Sequence, residues 1–384
     1  MNAGRPRQNR VSESYLMYVG GSVRRDFRGH PIRYLSSSHI ASLDIGMREI
    51  IPIMRDMFTA KGRGEVTMTP KVMLHPIPGE DSYITPMPAI VDMPGKRIVG
   101  MKFSAGYPQN VARGLPYIDS EIILKDPDTG RTYAVLGGNW ITGARTGAAT
   151  AVAADLFARK GEIRVGVISA GLQARTNLIA LDGVRDITEA RVFDPDHRKR
   201  SEFVTQMSEF LSFPITPVDE VDGAVRDCDV VVTAAPIRKQ PGPIERDWLK
   251  PGAFVSALDF DASLSRDVLR RPGVKLITDD APQLDSKRHE GFFANTPPIE
   301  VEVGDVLAGT RRLDAAPDDV VVFLNLGIAP SDLVVAQLAF ERAEQASIGI
   351  ELRPLGRPSW VARVLGLRFA FRLMRGLRRL IVGA

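Results

Sequence analysis

The stretch Val165-Gly166-Val167-Ile168-Ser169-Ala170-Gly171-Leu172-Gln173-Ala174 constrains the fold of this chain more than any other. An apolar run makes a buried strand, and small residues then turn it into a helix. That is how a dinucleotide pyrophosphate is held: bare backbone at a tight turn, with amide groups and the positive end of a helix aimed at it. The usual fingerprint begins with glycine, where this chain has Ser169. Gly171 keeps the place where backbone approaches the pyrophosphate, and Ala174 keeps the small residue for helix–strand packing. Ser169, Ala170, Gly171, Leu172 and Gln173 are therefore candidate cofactor-binding residues. Asp194 ends the next strand, at the spacing of an acid on an adenosine ribose. An acid there favours NAD, while Arg198 and Lys199 behind it leave NADP possible. The alternative role for Asp194 is to cap a helix beginning near Pro195.

The pattern around this motif alternates. Strands are expected at 163–169, 189–194, 229–234, 253–258, 274–278 and 320–324, with helices or crossovers between them. Such alternation implies an α/β fold, a Rossmann-type doubly wound parallel sheet. Upstream, strand-like pieces at 66–74, 82–87, 98–103, 117–125 and 132–136 predict an antiparallel sheet. Helices are expected over 40–60, after the cluster Ser36-Ser37-Ser38, and over 144–160. Another is expected over 331–345, with Ser331 as its cap. The organisation inferred is discontinuous. Residues 1–143 begin a substrate and dimerisation domain of α+β type, residues 144–324 form the nucleotide domain, and residues 325–353 return to the first.

Charge and composition narrow the function. The net charge of +4 comes from the tail, since residues 354–384 carry seven arginines and no acid, which leaves about −3 for residues 1–353. The body is thus not a nucleic-acid surface by charge. In the tail, Trp360, Val364, Leu367, Met374, Leu377 and Ile381 fall mostly on one helical face and the arginines mostly on another. A basic amphipathic helix of this kind can lie on an anionic membrane surface or dock on an acidic partner. The single cysteine, Cys228, forbids an internal disulfide, and no secretory leader or membrane span is evident, so a cytoplasmic location is expected. The five histidines are scattered, so no metal site is expected.

One arginine, Arg145, stands on a bed of small residues in Gly143-Ala144-Arg145-Thr146-Gly147-Ala148-Ala149. A guanidinium there can take a carboxylate in its two-pronged fork beside a nicotinamide, unless it only makes a surface pair. Thr146 next to it, and Thr233 and Ala234 at the end of a nucleotide-domain strand, are expected to line the cofactor groove.

Several ordered segments now point the same way. They are Met87-Pro88-Ala89, Gly100-Met101-Lys102-Phe103, Asn110-Val111-Ala112-Arg113-Gly114-Leu115-Pro116, the Arg145 segment and Gly171-Leu172-Gln173-Ala174. Pro251-Gly252-Ala253-Phe254-Val255, Gly304-Asp305-Val306-Leu307-Ala308-Gly309 and Gly327-Ile328-Ala329-Pro330-Ser331-Asp332 continue the series. Through them the chain resembles the ornithine cyclodeaminase/μ-crystallin family over roughly residues 30–352. The resemblance implies a homodimeric NAD(H)-dependent oxidoreductase acting on the C–N bond of an amino acid. Its alternatives are a cyclodeaminase that releases ammonia and a non-catalytic store of cofactor or ligand. Ile122–Thr129 and Ala158–Gly161 resemble the branch that oxidises an N-(2-amino-2-carboxyethyl)-glutamate to diaminopropionate and 2-oxoglutarate.

The same resemblance implies roles for particular residues. Lys102 matches the active-site lysine, and Arg145 the substrate-carboxylate arginine. Lys71 stands where many members carry a second carboxylate-binding arginine; it keeps the charge but loses the fork. Met87 belongs to the substrate side. The catalytic aspartate follows the strand after Pro251-Gly252; counting forward gives Asp261, counting back from Asp279-Asp280 gives Asp259, and Asp261 is preferred. Thr85 stands where ornithine-specific members carry an acid, which argues against ornithine.

Overall fold

A computed structural model describes residues 31–353, apart from 238–241 and 294–295, together with a short antiparallel pair, β1 (Met17–Val19) and β2 (Ser22–Arg24). The tail at 354–384 lies outside the described residues. The first unit runs β3 (Ile32–Leu35), α1 (Ser37–Ala41), α2 (Met47–Gly62), β4 (Val66–Met68), β5 (Tyr83–Met93), β6 (Lys96–Gly106), β7 (Ile118–Lys125), β8 (Thr132–Gly137) and α3 (Gly138–Phe157). Strands β4 to β8 pair antiparallel in sequence order, and β3 joins β8 in parallel. On β5, Thr85, Met87, Ala89 and Val91 face inward while their neighbours do not. This period of two is that of a sheet with one covered face.

The expected helix over 40–60 is in fact two. Asp44 takes a left-handed φ of 50°, which a continuous helix does not allow, and separates α1 from α2. Ser36 caps α1 by accepting from the His39 amide, with the His39 ring accepting in return from the Ser36 amide. The expected strand at 66–74 stops at Met68, because Pro70 has no N–H to give a ladder. The helix expected from 144 begins six residues earlier, at Gly138, so Arg145 sits in its interior and the 143/144 boundary falls within α3.

The second unit runs β9 (Glu162–Ile168), α4 (Leu172–Asp182), β10 (Asp186–Phe193), α5 (His197–Met207), β11 (Ile215–Pro217), α6 (Val221–Val225), β12 (Val230–Thr233), β13 (Phe254–Ala257), β14 (Val274–Thr278), α7 (Ala281–His289), β15 (Val301–Glu302), α8 (Val303–Ala308) and β16 (Val320–Leu324). All eight strands are parallel, in the order β11-β10-β9-β12-β13-β16-β14-β15. Chain order reverses between β9 and β12, which is where open α/β sheets bind ligands. The chain then returns through α9 (Ala329–Ala346) to the first unit, where β17 (Ile350–Leu352) pairs antiparallel with β3. Ser331 does not cap α9: Ile328 holds the cap position, and Ser331 is buried in the first turn.

Two close approaches join the units. Helix α2 meets α8 with Gly62 against Gly304, where a Cβ on Gly62 would overlap the Gly304 carbonyl. Lys61 beside it pairs with Asp280 at 2.9 Å and with Glu302. Helix α3 meets α4 at Gly143 and Gly147, and a Cβ on Gly147 would overlap the Thr176 carbonyl. At Gly143 the nearest atoms are ends of the Thr176 and Leu172 side chains, at 3.2 and 3.3 Å, which can move aside. Gly147→Ala is therefore expected to lower the unfolding free energy by about 1–3 kcal/mol relative to Gly143→Ala. Both variants gain the same helix preference, about 1 kcal/mol, so their difference isolates the overlap. Denaturant unfolding of the two variants measures it, and equal stabilities would refute this packing.

Candidate functional site

The glycine-poor turn after β9 forms one half of the site. Ser169 adopts φ of 95°, the backbone for which the fingerprint normally uses glycine. Gly171 caps α4 without any side-chain hydrogen bond, so the first amides of that helix stay free for an anion. Asp194 does not cap α5; Asp196 does, accepting from the Arg198 amide at 2.9 Å. Instead Asp194 accepts from the Ala170 amide at 2.9 Å and from the Asp196 amide at 3.0 Å, and so ties the turn to the end of β10. Arg175 donates to the Ala170 carbonyl from α4. Ala234 donates its amide to the Ile168 carbonyl at 3.0 Å, which brings the end of β12 against the turn. The buried Gln173 Oε1 has no partner among the described residues. An uncapped helix start, a left-handed turn residue and an unpartnered polar atom at the sheet's reversal point suit a dinucleotide pyrophosphate. Thr146 lies on α3, its hydroxyl bonded to the Thr142 carbonyl at 2.7 Å.

The other half is a buried cluster of charges. Lys102 Nζ, on β6, donates to Asp332 Oδ1 at 2.9 Å and to Thr142 Oγ1 at 3.2 Å. Arg145 Nε, on α3, donates to the same Asp332 oxygen at 3.0 Å. The second oxygen of Asp332 is buried without a partner, and the terminal nitrogens of Arg145 make no hydrogen bond among the described residues. Lys71 Nζ donates to the Leu326 carbonyl at 2.6 Å. Behind that carbonyl, Asp279 accepts from the Gly327 amide at 2.6 Å and the Leu326 amide at 3.3 Å. Gly327 has φ of 73° and lies against Arg145, where a Cβ would overlap the guanidinium. Met87 pairs in register with Lys102, and Thr85, two pairs further along, keeps a buried hydroxyl without a partner among the described residues.

Burial and mutual repulsion set the electrostatics here. Burial first, then the charges of Arg145 and Lys102, bring the Lys71 ammonium down to about 7. Burial lowers Lys102 to about 8, with Asp332 opposing and Arg145 assisting. Burial also opposes the charged form of Asp332, but Arg145, Lys102 and Lys71 together hold its pKa below the ordinary value. Asp279 is raised to about 6 by burial and by neighbouring Asp280. Three cations thus meet two carboxylates out of water, and the arrangement can accept one more anion.

Neither candidate catalytic acid hydrogen-bonds or ion-pairs with this cluster among the described residues. Asp259 accepts from Thr233 Oγ1 at 2.6 Å, Ser263 Oγ at 2.5 Å and the Ala235 amide at 3.1 Å. It braces the loops after β12 and β13, and burial raises its pKa. Asp261 follows Phe260, whose φ is 62°, and is less enclosed; burial raises its pKa too. Asp332 and Asp279 are the charged members that sequence reasoning missed. Asp332 is the one acid in the apolar first half of its helix, before Leu333-Val334-Val335-Ala336, and Asp279 is half of an acidic pair at a strand end; both were visible as patterns. Among the described residues no group of His, Cys, Asp or Glu could hold a metal ion.

The chain is similar to known proteins over most of its length. Alanine dehydrogenase of Archaeoglobus fulgidus is 28% identical over 332 residues, covering 83% of this chain and 97% of that protein. The structure of Thermococcus litoralis Δ1-pyrroline-2-carboxylate reductase, in complex with NADH and L-proline, superposes with a TM-score of 0.74 at 27% identity, covering 84% of this chain and all of that one. An archaeal alanine dehydrogenase dimer with bound NAD gives a TM-score of 0.73 at 27% identity, over 84% and 98% of the two chains. The family model for ornithine cyclodeaminase/mu-crystallin matches residues 35–347, and the chain belongs to that family.

Proposed function

We propose that this chain is an NAD(H)-dependent oxidoreductase that works at the C–N bond of an amino acid held by its carboxylate. The observation that carries this is the unbalanced cluster: Lys71, Lys102 and Arg145 around Asp332 and Asp279, with the Arg145 fork free of hydrogen bonds among the described residues. The same helix that carries Arg145 packs on the helix that opens the nucleotide turn. Relatives bound to NAD, or to NADH and proline, support cofactor and substrate class alike. When bound, the nicotinamide supplies a two-electron hydride acceptor or donor. Arg145 takes the carboxylate in its fork, and Lys71 adds a second charge. Lys102, lowered to about 8, exchanges a proton with the substrate nitrogen. Asp332 fixes Lys102 and Arg145 relative to each other, because both bind one of its oxygens.

Within that class we favour the substrate N-(2-amino-2-carboxyethyl)-glutamate. Oxidation of its secondary amine to an imine, followed by water addition, releases diaminopropionate and 2-oxoglutarate. The segments Ile122–Thr129 and Ala158–Gly161 support this, as does a site with three cations for a substrate with several carboxylates. Thr85 offers a hydroxyl where a side-chain ammonium would need an acid, which weighs against ornithine. A homodimer is supported by the dimeric relative and by exposed Tyr34, Phe103, Ile350 and Leu352 on the first sheet.

Reduction of NAD with the glutamate conjugate, alanine, proline and ornithine in turn tests the proposal. Turnover with none of them, despite cofactor binding, would refute it. Arg145→Lys keeps the charge but loses the fork, so kcat/KM is expected to fall by about 1–3 kcal/mol of transition-state binding. Wild-type kinetics in this variant would remove the carboxylate fork from the mechanism.

The pH dependence follows from the two lysines. A bound carboxylate favours their protonated forms, whose pKa values of about 7 and about 8 lie below the usual lysine range. Pyruvate binding to the NADH complex is thus expected to take up protons, and its affinity to fall as pH rises through that window. Calorimetry in buffers of different ionisation enthalpy measures the uptake, and proton release would give the wrong sign.

The two aspartates separate by readout. Asp259→Asn disturbs three hydrogen bonds and is expected to cost stability, about 1–3 kcal/mol in chemical unfolding. Asp261→Asn is expected to leave stability unchanged and to remove most turnover. The opposite ranking would assign the chemistry to Asp259.

A further inference from the structure

The geometry points to Asp279 as a positioning residue that holds the Leu326-Gly327 turn and, through it, sets Lys71 and Arg145 for an incoming carboxylate; this rests on the carboxylate-binding reading above. The peptide at this turn is held from several sides. Asp279 takes both of its amides, at 2.6 and 3.3 Å. Lys71 takes the Leu326 carbonyl at 2.6 Å, and Gln283 Nε2 takes the Gly327 carbonyl at 3.0 Å. Gly327 then presents a bare Cα to the Arg145 guanidinium, so any movement of the turn moves the fork's floor. Asp279 makes no hydrogen bond or ion pair with Lys71 or Arg145 among the described residues; its charge supports the Lys71 ammonium across the turn, and its hold on the two amides sets the turn's position against Arg145.

The charged groups acting on this carboxylate are Asp280 next to it, Lys71 before β5 and Lys61 on α2, while Arg145 on α3, Lys102 on β6 and Asp332 on α9 act in turn on Lys71. Asp280 is itself engaged by Lys61 and by the Gln283 amide, so it cannot substitute for Asp279 at the turn. With Asp279 raised to about 6, acid conditions neutralise it and weaken its hold on two backbone donors. An asparagine has the same shape but only one acceptor oxygen, and its NH2 group would face a backbone N–H.

Asp279→Asn in the full-length protein is the test, with pyruvate as the carboxylate probe on the NADH complex. The Kd for pyruvate is expected to rise about tenfold or more, while the Kd for NADH stays within about twofold. Wild-type affinity for pyruvate should decline as pH drops below about 6, and the variant should lack that acid limb. A role confined to folding would not remove a pH limb. Amide hydrogen exchange supplies a readout free of any substrate: residues 326–328 should exchange faster in the variant, and in the wild type at about pH 5 than at about pH 8 after correction for intrinsic rates. That wild-type comparison decides the matter even if the variant does not fold. Unchanged exchange at 326–328, or unchanged pyruvate binding beside faster exchange, would overturn the positioning role. Should wild-type protein bind no carboxylate probe at all, the carboxylate reading fails and with it the consequence for binding, whereas the exchange data still judge the grip on the turn.

Discussion

The structure depends on the backbone contact between α3 and α4. Gly147 admits the Thr176 carbonyl to a distance that no side chain would allow. Helix α3 touches the first unit's sheet and helices on one side and the nucleotide unit on the other. The Ala- and Gly-rich composition that makes it buried along most of its length is therefore a geometric requirement. With α3 seated so closely, Arg145 and Thr146 stand a fixed distance from the amides at the start of α4. Thr150 on the same helix bonds Ser256 on β13 at 2.7 Å, which fixes its rotation as well.

Against that rigid frame the charge cluster is deliberately incomplete. Burying two lysines and an arginine is costly, and Asp332 offsets only part of it by serving two cations with one oxygen. Among the described residues its other oxygen has no hydrogen bond, and neither do the ends of the Arg145 fork. Polar atoms left unsatisfied in a folded interior lower stability, and they are kept where a ligand completes them. The depressed lysine pKa values report the same imbalance.

Much of the fold was legible because periodicity survives packing. The parallel strands at 274–278 and 320–324 were expected with the bounds they have; at 320–324 an apolar run buried at every position has few alternatives. Boundaries were missed where one residue acts alone. Asp44 breaks a helical pattern through its own φ, and Gly137-Gly138 conceals a helix start that looks like a loop. In the site, Lys102 and Lys71 became candidates through the family resemblance and Arg145 first through its bed of small residues, whereas their partners did not. Asp332 lies 187 residues from Arg145, and no local pattern expresses a pairing across that distance. Asp194 was readable as an acid at the right spacing, whereas its bonds to two backbone amides depend on how the turn closes over it.

The return of the chain to its first unit has a consequence for biosynthesis. The sheet begun by β3 is closed by β17, and Arg33 on β3 bonds the Ile348 carbonyl 315 residues later. Helix α9, which covers the inner face of β5 and β6, also emerges near the end. A ribosome thus releases the nucleotide unit while the opening strands still expose their apolar faces. The nascent antiparallel sheet must be shielded, by chaperones or by transient collapse, until translation has passed Leu352.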